Sequence, residues 1–266
     1  MQQGSAFSPT VLERWRKREN LLPGLVLVAL AALGWAYTVR QATATGDTDG
    51  AMAPMAMSAI GGFTAFLFGW TAMMVAMMVP ATMPLILLYR TIARNRLGLA
   101  QARYGMTFLL AGYVGVWATV GLPVYAYSLF GQTSGSAGAL LPGVLLAAGG
   151  VYQFTRLKSS CHARCSNPLF FLMQQWRPGG RGALRLGMLH GVDCLGCCAG
   201  VMLALVALGM MNFTWMLTAA IVIFVEKTLP GSHRIARPLG IAMVAGGVAL
   251  IGMSLLGGMS PGMEAM

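Results

Sequence analysis

Long stretches of the chain carry no charge at all, and this limits the fold more than any other feature. The uncharged runs cover Leu21–Val39, Ala51–Tyr89, Tyr104–Gln153, Cys194–Val225 and Pro238–Met263. A bilayer crossing takes about 20 apolar residues, so the longest runs each hold two helices, or one helix and an outer segment. Only 9% of the residues are charged, against roughly 25% in a soluble domain. Period-two alternation is absent and Ala, Leu, Gly and Met dominate, which favours helices over a membrane β-barrel. The expected fold is all-α: a polytopic transmembrane helix bundle of about seven spans. They lie near 21–40, 62–88, 104–128, 138–155, 186–208, 212–228 and 238–257.

The net charge of +11 would suit nucleic acid, but its placement argues for a membrane. Basic residues gather before the first span (Arg14, Arg16, Lys17, Arg18), between the second and third (Arg90, Arg94, Arg96, Arg103), between the fourth and fifth (Arg156, Lys158, Arg164, Arg177, Arg181, Arg185), and between the sixth and seventh (Lys227, Arg234, Arg237). Arg40 alone falls on the other side. Positive charge at every alternate loop places the N-terminus in the cytoplasm and the C-terminus in the periplasm. Anionic lipid headgroups are the natural partners of these loops, and nucleic acid is not expected. The chain then divides into a cytoplasmic amphipathic N-terminus (1–20), a transmembrane metal-binding domain (21–257) with a cytoplasmic cysteine loop (156–185), and a short periplasmic tail (258–266). The N-terminal segment is not expected to be a cleavable signal, because a full span follows its basic residues. The run 168–176, short and closed by Trp176, suits an interfacial helix.

All five cysteines and two of the three histidines fall between Cys161 and Cys198. These are the side chains that bind soft and borderline metals. A lone membrane cysteine is usually a small packing residue; five within one short segment are less readily explained that way. Cys161, His162 and Cys165 form a first group in the cytoplasmic loop, with a spacing that fits one helical turn or a loop clamp. Arg156, Lys158 and Arg164 nearby are expected to lower the thiol pKa values, and the reducing compartment argues against a structural disulfide. The alternative is an ordinary loop with spare cysteines.

His190, Cys194, Cys197 and Cys198 form a second group on one face of the fifth span. Asp193 lies just outside that face. Gly187, Gly191 and Gly196 thin the helix so that another backbone can approach. An ionisable residue inside a span is a functional candidate by default, although Asp193 near the headgroups could simply pair with Arg185. In the second span, Met73 and Met77 share a face, as do Met74 and Met78, beside Pro80 and Pro84, which free backbone carbonyls. Methionine is also a flexible core filler. Counted at the helical rise, Cys197 lies about 18 Å inward from Arg185 and Met77 about 20 Å inward from Arg90. Both depths are near the middle of the bilayer. The outer segments carry further methionines (Met52, Met55, Met57, Met210, Met211, Met259, Met263, Met266) but no cysteine. Glu226 and Lys227, at the inner end of the sixth span, form a third ionisable site, the alternative being a snorkelling pair at the interface.

Taken together, these residues resemble a bacterial family of integral membrane proteins with inferred metal binding, a domain of unknown function sometimes labelled copper chaperone. The resemblance runs from position 70 to 227. It rests on Trp70, Met73, Met77, Met78, Pro80 and Pro84; on Lys158, Cys161, Cys165 and Pro168; on His190, Gly191, Cys194, Gly196, Cys197, Cys198 and Met202; on Gly209, Met211 and Asn212; and on Glu226 and Lys227. Ala199 stands where the family pattern leads one to expect an aromatic residue. The resemblance implies metal handling and supplies neither direction nor mechanism.

The resulting expectation is a multi-pass protein of the bacterial inner membrane that binds a soft transition metal for transport across, or delivery within, the membrane. Cu(I) suits thiols and thioethers together, with Zn(II) as the other candidate. Met73, Met77 and Met78 would form the outer half of a path. Cys194, Cys197, Cys198 and His190 would form the inner half, with Asp193 orienting His190 or tuning charge. Cys161, His162 and Cys165 would exchange the ion at the cytoplasm with a donor or acceptor protein; a periplasmic partner is equally open. The sequence has no phosphate-binding loop, so energy would come from a gradient or a stronger acceptor. One rival is an enzyme, a quinone-linked thiol–disulfide oxidoreductase using Cys194 and Cys197. The other is a non-catalytic structural or assembly subunit.

Overall fold

The computed structural model of the protein describes residues 18–44, 59–133, 135–208, 213–228 and 233–257, and every element among them is a helix. We number them α1 (Arg18–Ala44), α2 (Ala59–Leu97), α3 (Leu99–Thr133), α4 (Gly135–Tyr152), α5 (Arg156–Cys165), α6 (Pro168–Gln175), α7 (Gly179–Leu208), α8 (Phe213–Thr228) and α9 (His233–Gly257). Five of these helices, α1, α2, α3, α7 and α9, are long and apolar enough to cross a membrane. The shorter apolar helices α4 and α8 occupy the positions of the other two expected spans. The all-α membrane bundle is therefore the fold. Most of the expected N-terminal segment, the methionines at 52–57 and 210–211, and the tail 258–266 lie outside the described residues.

Apolar side chains cover the outside of the bundle. Leu22, Leu25 and Leu33 on α1, Phe68 on α2, Ile241 and Leu256 on α9 are all exposed, as a lipid-facing surface requires. Inside, α3 packs along both α2 and α7, α1 lies on α2, α4 lies between α7 and α9, and α5 lies on α7. Small residues make these crossings close. At Gly187 the α7 backbone rests against the Leu109 carbonyl of α3, and Gly112 of α3 rests against the Leu184 carbonyl in return. A methyl group at either position would collide with backbone. This is the close approach expected at Gly187.

Two basic segments differ from the expected loops. Residues 90–103 are helical except at Gly98, whose φ of 89° lets the chain turn from α2 into α3. The Gly98 amide closes α2 on the Arg94 carbonyl at 3.1 Å, the role of a left-handed residue at a helix C-terminus. Residues 156–185 hold α5, α6 and the first turns of α7. Hydrophobicity marks where a helix leaves the bilayer core, not where it ends, and Arg, Leu and Ala continue a helix readily in the interface. Pro80 and Pro84 likewise lie within an unbroken α2.

Candidate metal centre

The helix α5 brings the two cysteine groups together. Its N-cap is Thr155, whose hydroxyl accepts from the Lys158 amide at 3.3 Å. From there it runs antiparallel to α7, so that Cys161 faces Gly196 and Arg164 reaches Asp193. A Cβ at Gly196 would lie 2.5 Å from the Cys161 sulfur, so the missing side chain makes room for that thiol. The Tyr152 hydroxyl of α4 donates to the Gly196 carbonyl at 2.6 Å. One turn further on, Cys165 turns towards α7. The sulfurs of Cys165, Cys194 and Cys197 lie within 4.8 Å of one another. Among the described residues they form a group of three thiols with metal-ligand spacing, and none of the five cysteines is in a disulfide.

Cys194 is the centre of this group. Its sulfur is fully buried. The Lys227 ammonium donates to it at 2.7 Å, and the Tyr113 hydroxyl lies 3.1 Å away. The Cys197 and Cys198 thiols donate to the Cys194 carbonyl, at 3.1 and 2.9 Å. Cys165 is half-buried, so the group reaches towards the surface through α5.

The remaining candidates have distinct places. Cys161 is buried against Gly196. His162 points to the outer side of α5, where its ring nitrogen lies 3.3 Å from the Ser166 hydroxyl. Cys198 is buried within the same core as the thiol group. His190 lies one turn before Cys194, between the rings of Tyr113 and Phe171 at 5.8 and 5.3 Å. Its buried Nδ1 has no hydrogen-bond partner. Asp193 accepts from Arg164 of α5 at 3.4 Å, a partner not expected from the sequence. Met73, Met77 and Met78 belong to the same buried core as Cys194, Cys197 and Cys198, together with Met74, Met202 and Met216. Trp70 anchors this region by donating to the Trp117 carbonyl at 2.8 Å.

Two electrostatic expectations are overturned. The basic neighbours do not favour the α5 thiolates. Burial pushes the Cys161 thiol up, reinforced by the Asp193 charge and only partly opposed by Arg164. The neighbouring sulfurs of Cys194 and Cys197, then burial, hold the Cys165 thiol well above its usual range. Lys158 is committed elsewhere: its ammonium is buried against Glu226 at 2.8 Å and also donates to Gln153. Nor do Glu226 and Lys227 snorkel as a pair. Glu226 turns to Lys158 and Lys227 turns inward to Cys194. Sequence reasoning passed over Tyr113 and underrated Lys227. Their signal, a tyrosine and a lysine in apolar helices facing the cysteine span, is visible only once α3, α7 and α8 are packed.

A family model for copper chaperones, PpoB2, matches residues 67–250. The chain belongs to that copper chaperone family. The match contains the methionine stripe of α2, all five cysteines and Lys227, and so includes the buried residues of the core around the thiols. No curated protein and no solved structure matches the chain significantly. Family membership and the three-thiol group both fit metal binding, in a chain with five helices long and apolar enough to cross a membrane.

Proposed function

We propose that the protein carries Cu(I) as cargo in the bacterial inner membrane, holding it at Cys165, Cys194 and Cys197. The single observation that supports this most is the convergence of three thiols from two elements on one buried point. Thiolates and thioethers select soft ions, and the methionines of α2 lie in the same packed core as the thiols. Cys194 is the anchor, held by Lys227 and Tyr113. Cys197 sits one helical turn away on the same face. Cys165 is the detachable ligand, because it rides on a short helix outside the spans and is half-buried. Movement of α5 would open the site to the cytoplasm, with His162 and Cys161 at its rim. His190, one turn before Cys194 and with an unused nitrogen, would stand on the cytoplasmic side of the thiols, and Cys198 with Met73, Met77 and Met78 would extend the path into the membrane. The N-terminus-in orientation follows from the loop charges.

Alkylation with and without chelator tests this reading. Copper-loaded protein is expected to protect Cys165, Cys194 and Cys197, and chelation is expected to release them. A disulfide among these residues that forms on quinone addition without metal would contradict it and favour the oxidoreductase.

A further inference from the structure

Lys227 occupies the last turn of α8, where a lysine ordinarily extends its stem to the interface and keeps its charge in water. Here the chain bends the other way. The ammonium enters the protein and meets the Cys194 sulfur at 2.7 Å. The carboxylates adjacent in sequence to Lys227 and to Cys194 are engaged by other cations: Glu226 by Lys158 at 2.8 Å and Asp193 by Arg164 at 3.4 Å. The Lys227 charge is thus directed at sulfur, inside a core that holds the other thiols of the group.

We propose that Lys227 is a specificity-determining residue, a fixed cation that makes the three-thiol site favour singly charged over doubly charged soft ions. The proposal rests on the metal-site reading above. An ion bonded to the Cys194 sulfur at about 2.3 Å would stand no more than about 5 Å from the ammonium. Coulomb repulsion at that separation is proportional to the charge of the ion, so a divalent ion is opposed twice as strongly as a monovalent one, and burial reduces the screening. The donor set alone accepts both Cu(I) and Zn(II); the neighbouring charge separates them. The Tyr113 hydroxyl, 3.1 Å from the Cys194 sulfur, brings no positive charge and does not discriminate in this way.

The test uses full-length protein in detergent, with Cu(I) and Zn(II) affinities each measured by competition against a chelator. Three variants are compared with the parent: Lys227→Met, Lys227→Gln, which keeps a donor without charge, and Lys227→Arg, which keeps the charge. The ratio of Cu(I) to Zn(II) affinity is the readout, because general loosening of the site weakens both ions together. The ratio is expected to fall roughly tenfold or more in the Met and Gln variants and to stay within about threefold in the Arg variant. An unchanged ratio in Lys227→Gln, with both ions still bound, overturns the role of Lys227 and leaves the site intact. Failure of the parent protein to bind Cu(I) at all overturns the site itself.

Discussion

Lys158 of α5 and Glu226 of α8 form a buried ion pair at 2.8 Å, which ties the cysteine-bearing helix to α8 in addition to its packing on α7. Removing one partner of such a pair leaves a buried charge uncompensated, at a cost of about 3–5 kcal/mol, while replacing both by apolar residues is often neutral. Lys158→Met or Glu226→Gln alone is therefore expected to lower thermal stability and to speed alkylation of Cys165. The double variant Lys158→Met/Glu226→Leu is expected to recover most of the stability. Melting in detergent checks the cycle. Additive losses in the double variant would show that the pair does not hold α5.

Glycine positions give a second, graded prediction. Ala at Gly187 would meet the backbone carbonyl of Leu109, which cannot move without α3. Ala at Gly196 would meet the Cys161 side chain, its sulfur at 2.5 Å and its Cβ at 3.1 Å, and no backbone. Gly187→Ala is expected to abolish assembly of the bundle. Gly196→Ala is expected to leave the bundle folded but to displace α5 and weaken metal retention, and Cys161→Gly is expected to relieve it. Expression level and metal content of the three variants test the ordering.

The methionine stripe separates packing from ligation. Met73 and Met77 are each 5% exposed, and exchange for Leu keeps volume and apolarity, so stability should change by less than about 1.5 kcal/mol. The exchange removes two thioethers. If copper uses this face of the core, Met73→Leu/Met77→Leu is expected to fold normally and to lose copper transfer. Normal transfer in a well-expressed double variant would return the stripe to simple core filling.

Cys161 gives a prediction in pH. The thiolate is the form that alkylates, and burial raises the Cys161 pKa, so the reactive fraction at neutral pH falls below that of a free thiol. Labelling of Cys161 is expected to be slow at pH 7 and to rise through the alkaline range. Fast labelling at pH 7 would mean that the contact with Gly196 does not persist in solution.

The spans were legible because the bilayer imposes them residue by residue: a run without charge and rich in Ala, Leu and Met has few other fates. The cysteine groups were legible as chemistry, and Gly187 and Gly196 as sites of close approach. Their union was not. That Cys165 joins Cys194 while Cys161, one turn earlier, packs on Gly196 depends on how α5 seats against α7, a tertiary fact with no local signature. The same holds for charge. In sequence Glu226 reads with Lys227 and Asp193 with Arg185, but the packed bundle gives Glu226 to Lys158, Asp193 to Arg164 and Lys227 to Cys194. The basic segments 90–103 and 156–185 were located by charge, which reports the side of the membrane and not the backbone conformation.

The account centres on Cys165 completing a site begun by Cys194 and Cys197. The most direct test is Cu(I) stoichiometry and affinity of purified full-length protein, compared among Cys165→Ser, Cys194→Ser, Cys197→Ser and Cys161→Ser. The account predicts one Cu(I) bound by the parent and by Cys161→Ser, and loss or marked weakening of that ion in each of the other three. Cu(I) binding by Cys165→Ser equal to the parent would contradict it.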